Sequence, residues 1–127
     1  MYPENLKYTK DHEWVKIEGD KVKIGITYHA QDALGDVVFV ELPEVDDEFE
    51  AGESFGTVES VKAVSDCYAP VSGKITAINE DILDSPELVN SSPYDDGWFI
   101  EMEVTDSSEL DQLMNSEEYQ KYLEEEE

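Results

Sequence analysis

Between Trp14 and Val104 the apolar residues recur in short runs, many alternating with polar ones, and glycine, proline, aspartate or asparagine interrupts the runs. A period of two belongs to strands with one buried face, and runs this short leave little room for core helices. The clearest case places Val15 and Ile17 on one face and Trp14, Lys16 and Glu18 on the other; after the turn Glu18-Gly19-Asp20, Val22, Ile24 and Ile26 alternate with Lys21 and Lys23. That is a hairpin. Val37 to Val40 is a continuous apolar run between Asp36 and Pro43, the pattern of a buried strand. Phe55 to Val58 and Val64 to Tyr68 read as two strands meeting at a turn, Lys74 to Asn79 as the next, and Trp98, Ile100, Met102 and Val104 alternate with Phe99, Glu101 and Glu103. About seven short strands, with turn signals roughly every eight to twelve residues, predict a mainly β fold, a small sandwich or barrel.

Helices are additions to this plan. Thr27 is placed to cap a short one through Leu34, ended by Gly35, and Ser85 to cap a one-turn helix from Pro86 through Asn90. Pro43 to Gly52 reads as a turn-rich connection and Met1 to Lys7 as a polar lead. From Asp106 the period changes to about 3.6, with Asp106 and Glu109 as a capping box and Leu110, Leu113 and Met114 as the apolar stripe. A second helix from Ser116 presents Tyr119, Tyr122 and Leu123, and the run Glu124 to Glu127 is expected to fray at its C-terminus. The chain thus reads as one domain over residues 1–127, with a helical extension from about 106 to 127.

Charge narrows the partners. The 33 acidic residues face 8 lysines and no arginine, a formal net charge of −25. Such a field repels nucleic acid and anionic membrane. A single cysteine, Cys67, permits no intrachain disulfide. The first ten residues lack the pattern of a signal or transit peptide, so the cytoplasm is the expected location, with a mitochondrial mature form as the alternative.

No set of residues builds an active site. Cys67 lies in a strand-like run and is expected to pack; two histidines and one cysteine make no zinc pattern; the glycines are too scattered for a phosphate loop. What remains is Lys62, at the expected tip between Val61 and Ala63, where little would block its amine from entering another protein's active site. An exposed lysine is commonplace. Its surroundings make it more than that.

The blocks Tyr8-Thr9, His12-Glu13-Trp14-Val15, Gly25-Ile26-Thr27, Leu34 to Pro43, Glu59-Ser60-Val61-Lys62-Ala63 with Ser65-Asp66, Tyr68 to Gly73, Pro86 to Asn90 and Pro93 to Trp98 occur in order over nearly the whole chain. Together they resemble the H-protein family of the glycine cleavage system, which are lipoyl carriers. The resemblance implies a lipoyl- and biotinyl-carrier-like barrel-sandwich of two antiparallel sheets with short helices, two of them at the C-terminus. It implies that Lys62 carries lipoate in amide linkage, within a block of Glu59, Ser60, Val61 and Ala63 read by a lipoate ligase or an octanoyl or lipoyl transferase. It further implies a non-catalytic, monomeric carrier visiting three enzymes. A pyridoxal-phosphate glycine decarboxylase loads an aminomethyl group, a folate-dependent aminomethyltransferase removes the methylene, and dihydrolipoyl dehydrogenase reoxidises the dithiol.

The loaded group is a cation that must not hydrolyse in transit, so an acidic groove is expected, with Glu13 as first contact, Asp66 second and His12 shaping the wall. A carrier that relays lipoate to other lipoyl proteins is the alternative. A biotin carrier fits less well, because Val61 and Ala63 stand where that family has methionines. Tyr28 departs from the small acidic or amide residue expected there, and the acidity of the C-terminus is heavier than the family needs.

Overall fold

A computed structural model describes residues 2–126; Met1 and Glu127, each at an end of a segment discussed above, lie outside the described residues. Among the described residues, nine strands form two antiparallel sheets. The six-stranded sheet has the order β1 (Lys7–Tyr8), β2 (Glu13–Glu18), β3 (Lys21–Ile26), β9 (Ile100–Val104), β8 (Gly73–Ile78), β5 (Glu48–Phe49). The three-stranded sheet has the order β4 (Val37–Glu41), β6 (Ser54–Ser60), β7 (Val64–Tyr68). Helix α1 (Tyr28–Leu34) links the sheets, followed by α2 (Asp81–Asp84), α3 (Leu88–Ser91), a 3₁₀ segment (Ser107–Gln112) and α4 (Ser116–Glu126). The sandwich of two antiparallel sheets is as expected, with the first of the two C-terminal helices being 3₁₀ rather than α.

The main core lies between the sheets, where Val15, Val22, Ile24, Val40, Val58, Ile75 and Met102 meet. A second cluster sits on the opposite side of β2, where α4 brings Tyr119 and Leu123 against Leu6, Tyr8 and Trp14. This corrects two face assignments. Trp14, placed with the polar face of β2, is 1% exposed because α4 covers that face. It lies flat on its cross-strand partner Gly25, where a Cβ would fall 2.6 Å from the indole Nε1. The indole N–H donates to the Pro93 carbonyl at 2.8 Å. Phe99, assigned to the polar face of the last strand, is fully buried in the main core, and the strand proper begins at Ile100. Ile17 at the far end of β2 is half exposed.

Several local expectations also change. Glu109 does not reach back to Asp106; its carboxylate accepts from the Ser72 N–H at 2.7 Å and the Ser72 hydroxyl at 3.1 Å. The reciprocal box forms instead at the start of α4, where the Asn115 N–H donates to Glu118 Oε1 at 2.9 Å and the Glu118 N–H to Asn115 Oδ1 at 2.8 Å. Ser85 caps nothing with its side chain: α3 begins at Leu88 without a side-chain cap, and α2 precedes it unforeseen. β1 and β5 are two-residue strands inside stretches read as lead and connection, too short to show a period. Helix α4 runs to Glu126, and Glu127, the last of the run expected to fray, lies outside the described residues.

Candidate functional site

Strands β6 and β7 pair with Glu59 opposite Val64, leaving Val61, Lys62 and Ala63 as the tip. Ser60 builds the turn. Its N–H donates to the Ala63 carbonyl at 2.8 Å, and its hydroxyl accepts from the N–H groups of Ala63 at 3.1 Å and Lys62 at 3.3 Å. Turn amides satisfied by one nearly buried hydroxyl leave the Lys62 side chain free of any structural duty. The Val61 N–H donates to the Asp36 carbonyl at 3.2 Å, which ties the tip to the start of β4.

Around the lysine the surface is apolar. Val61 is 72% exposed and Val64 64%, and Val38 and Phe39 on β4 are about half exposed. Phe39, Glu59 and Val64 stand in one cross-strand row, so the exposed patch crosses the small sheet with the Glu59 position at its centre. Asp36, Glu41 and Asp66 lie at its margins, and no other lysine falls between Lys23 and Lys74.

The lysine stem lies across Gly35, where a Cβ would come 3.4 Å from Lys62 Cε. Gly35 ends α1 with φ +81°, left-handed backbone that disfavours a side chain. Asn90 holds this corner: its Nδ2 donates to the Gly35 carbonyl at 2.8 Å and Gln31 Oε1 at 3.0 Å, and its Oδ1 accepts from the Val37 N–H at 2.8 Å. Sequence reasoning saw Asn90 only as a helix end, and nothing nearby in sequence signals three partners in other elements.

A groove of about 260 Å³ runs between α1 and β7. Its α1 side carries His29, Ala33 and Leu34, its β7 side Ser65, Asp66 and Cys67, and Asp11, His12 and Glu13 line it as well. Glu13 is 2% exposed. Its Oε1 accepts from the Thr9 hydroxyl at 2.8 Å and its Oε2 from the Tyr68 N–H at 3.0 Å. Burial pushes its carboxyl from the ordinary 4.5 up to about 7, with the neighbouring Asp11 adding slightly and the two hydrogen bonds opposing. Tyr68 is four strand steps from Val64, roughly 13 Å at about 3.3 Å per residue, so a lysine at the tip needs an extension to reach Glu13.

His12, at φ 68°, turns the chain sharply before Glu13, and its Nδ1 lies 2.8 Å from the Tyr119 hydroxyl. The His12 and His29 rings are tilted together with centroids 4.7 Å apart. Cys67 is buried, and burial, with Glu13 and Asp66 nearby, pushes its thiol far above the ordinary range. As expected, it packs. The geometry therefore separates the residues singled out from sequence into two groups: Glu59 to Ala63 with Lys62 at the exposed tip, and Glu13, Asp66 and His12 together in the groove. Tyr28 keeps its place at the start of α1 by a route its own side chain does not predict, its N–H donating to the Tyr94 hydroxyl at 2.9 Å.

Comparison with known proteins places this arrangement. Residues 6–126 match the family model described as Glycine cleavage H-protein. The chain is similar to the glycine cleavage system H protein of Halalkalibacterium halodurans, 59% identical over 124 residues that make up 98% of this chain and 97% of that one. It is 56% identical to that of Carboxydothermus hydrogenoformans, over 99% and 97% of the two chains. The crystal structure of a glycine cleavage system H protein from Mycobacterium marinum superposes with a TM-score of 0.83 at 43% identity, covering 92% of this chain and 94% of the other.

Proposed function

The chain belongs to the glycine cleavage H-protein family, and on that premise we propose that it works as the lipoyl carrier of that system, with lipoate on Lys62, serving in turn glycine decarboxylase, the aminomethyltransferase and dihydrolipoyl dehydrogenase. Bound there, lipoate supplies a disulfide that takes up the aminomethyl group of glycine on one sulfur and, after transfer, a dithiol for reoxidation. The residues present suit this group. The amine is exposed on a rigid turn, its stem rests on a glycine corner, and the groove beyond lies at a distance that an acyl extension would bridge.

Each residue then has a task. Ser60 fixes the turn so that Lys62 projects from it, and Val61 and Ala63 leave room for an enzyme to close around the amine. Amide formation removes the only lysine charge between Lys23 and Lys74. What remains is a patch of Val38, Phe39, Val61 and Val64 around the Glu59 position with further acidic residues at its margins, which suits partner surfaces that pair an apolar recess with basic groups. In the groove, Glu13 offers a carboxyl whose two hydrogen-bond donors are both neutral; burial favours its protonated form, and a cationic cargo beside it would draw out the carboxylate. Asp66 adds a second carboxylate toward the open side, and His12 shapes the wall.

The observation that carries this reading is the buried Glu13 carboxylate in the groove that runs beside β7 below the Lys62 tip. Intact-mass measurement of the protein from its native host tests it: a gain of one lipoyl group that vanishes in Lys62→Arg is expected. An unmodified Lys62 in cells growing on glycine refutes it. For the groove, the lipoylated Glu13→Ala protein loaded with the aminomethyl group should release ammonia and formaldehyde faster than wild type, and equal rates remove Glu13 from the role.

A further inference from the structure

The C-terminal helix takes no part in the site as described, yet one of its atoms touches both the N-cap of α1 and the residue before Glu13. Tyr119 is fully buried on α4. Its hydroxyl lies 2.8 Å from His12 Nδ1 and 2.8 Å from Thr27 Oγ1. Thr27 is the N-cap of α1, its hydroxyl accepting from the Ala30 N–H at 3.3 Å, and its own N–H donates to the His12 carbonyl at 3.0 Å. His12 precedes Glu13, and both line the groove beside its α1 and β7 sides. A single phenol oxygen thus joins the start of the α1 wall to the left-handed residue that aims Glu13.

Proton bookkeeping supports a bridge rather than a chance approach. If His12 Nδ1 accepts, the Tyr119 O–H donates to it and the Thr27 O–H donates to Tyr119; if Nδ1 carries a proton, the direction reverses and Tyr119 donates to Thr27. Both bonds survive in either state. The ring is held independently, stacked on Tyr8 with centroids 4.8 Å apart and planes 9° from parallel, and edge-on to Tyr2 at 5.4 Å. Packing therefore locates the ring, and its hydroxyl adds a side-chain tie to the backbone bond that already joins Thr27 to His12.

We propose that Tyr119 is a positioning residue for the groove: by gripping His12 and Thr27 from α4 it fixes the start of α1 against the Glu13 end of the groove, and so sets how long the cationic arm stays there. This rests on the carrier reading above. The role belongs to the hydroxyl, because phenylalanine would keep the ring contacts and lose only the bridge.

The test uses the full-length lipoylated protein and its Tyr119→Phe variant. In the unloaded state, amide hydrogen exchange at Ala30, whose acceptor is Thr27 Oγ1, should quicken about fivefold, the factor one neutral hydrogen bond commonly carries, while β3–β9 ladder amides stay unchanged. In the loaded state, formaldehyde release should rise by about the same factor at equal initial loading. Thr27→Ala should raise release likewise and Thr27→Ser should restore it, which also covers poor folding of any one variant. Wild-type release from both Tyr119→Phe and Thr27→Ala overturns the proposal, as does faster Ala30 exchange without faster release, since that marks a merely structural hydroxyl. A wild-type protein that never gains the lipoyl mass, or a Glu13→Ala protein that releases at the wild-type rate, brings down the underlying reading first and this inference with it.

Discussion

Replacing Glu13 by glutamine gives a signed, pH-resolved prediction. A carboxyl raised from 4.5 to about 7 on folding is held protonated more tightly by the native protein than by the unfolded chain. Its contribution favours the folded state fully below about pH 4.5 and is lost as pH rises through about 7. The difference of 2.5 in pKa corresponds to roughly 3 kcal/mol at about 1.4 kcal/mol per unit. Glutamine carries no charge at any pH. Its carbonyl can face the Tyr68 N–H while its amide points to the Thr9 hydroxyl, which already accepts from the N–H groups of Asp11 and Glu13. That crowding costs about 1 kcal/mol, the same at every pH.

The informative quantity is therefore the stability of Glu13→Gln minus that of wild type, measured by urea unfolding from about pH 5 to about pH 9 at one ionic strength. Subtraction cancels the titration of the other carboxylates. Because part of the effect is already lost by about pH 5, the variant should gain roughly 2.5 kcal/mol on wild type over that range, a relative midpoint shift of about 1.2 M urea at a slope of about 2 kcal/mol/M. A difference flat within about 0.5 kcal/mol, or one of opposite slope, would show that hydrogen bonds rather than burial dominate at Glu13 and would refute the reasoning.

Further outcomes follow from the tip and its platform. Ser60→Ala should cost about 1 kcal/mol in urea unfolding and slow lipoyl attachment to the intact Lys62 several-fold in a mass-followed time course, because the turn amides lose their shared acceptor. Gly35→Ala should lower stability by about 1–2 kcal/mol by calorimetry, because alanine resists φ +81°. Phe39→Ser should leave stability within about 0.5 kcal/mol and raise the KM of glycine decarboxylase for the lipoylated carrier; an unchanged KM would exclude the β4 patch from docking.

The parts of the structure that sequence discloses are those fixed by neighbours along the chain. Thr27 caps α1 and Gly35 ends it because both acts involve atoms within four residues, and the Lys62 turn is legible because β-favouring runs flank it on both sides. The illegible parts depend on distant partners. Trp14 and Phe99 sit at polar-face positions of alternating strands, and only the arrival of α4 over β2 and the closure of the main core bury them. Asp106-x-x-Glu109 and Asn115-x-x-Glu118 fit the same capping template; the first loses its glutamate to Ser72, a residue far back in the chain. Glu13 was singled out through a family block, but its depth depends on Thr9 and on the Tyr68 amide of the opposite sheet. Asn90 and Tyr119 act wholly at long range, so no local pattern could have marked them.

Cys67 has a consequence of another kind. A carrier whose arm begins and ends its cycle as a disulfide runs a risk from its own thiol, since a thiolate beside the resting arm would open the ring and trap it as a mixed disulfide. Attack needs the thiolate, and burial together with the carboxylates of Glu13 and Asp66 keeps Cys67 protonated far above physiological pH. The negative field that would welcome the amine also disarms the sulfur beside it. On the carrier reading, the groove is chemically insulated from the protein that forms it, at the one position where this sequence could have poisoned itself.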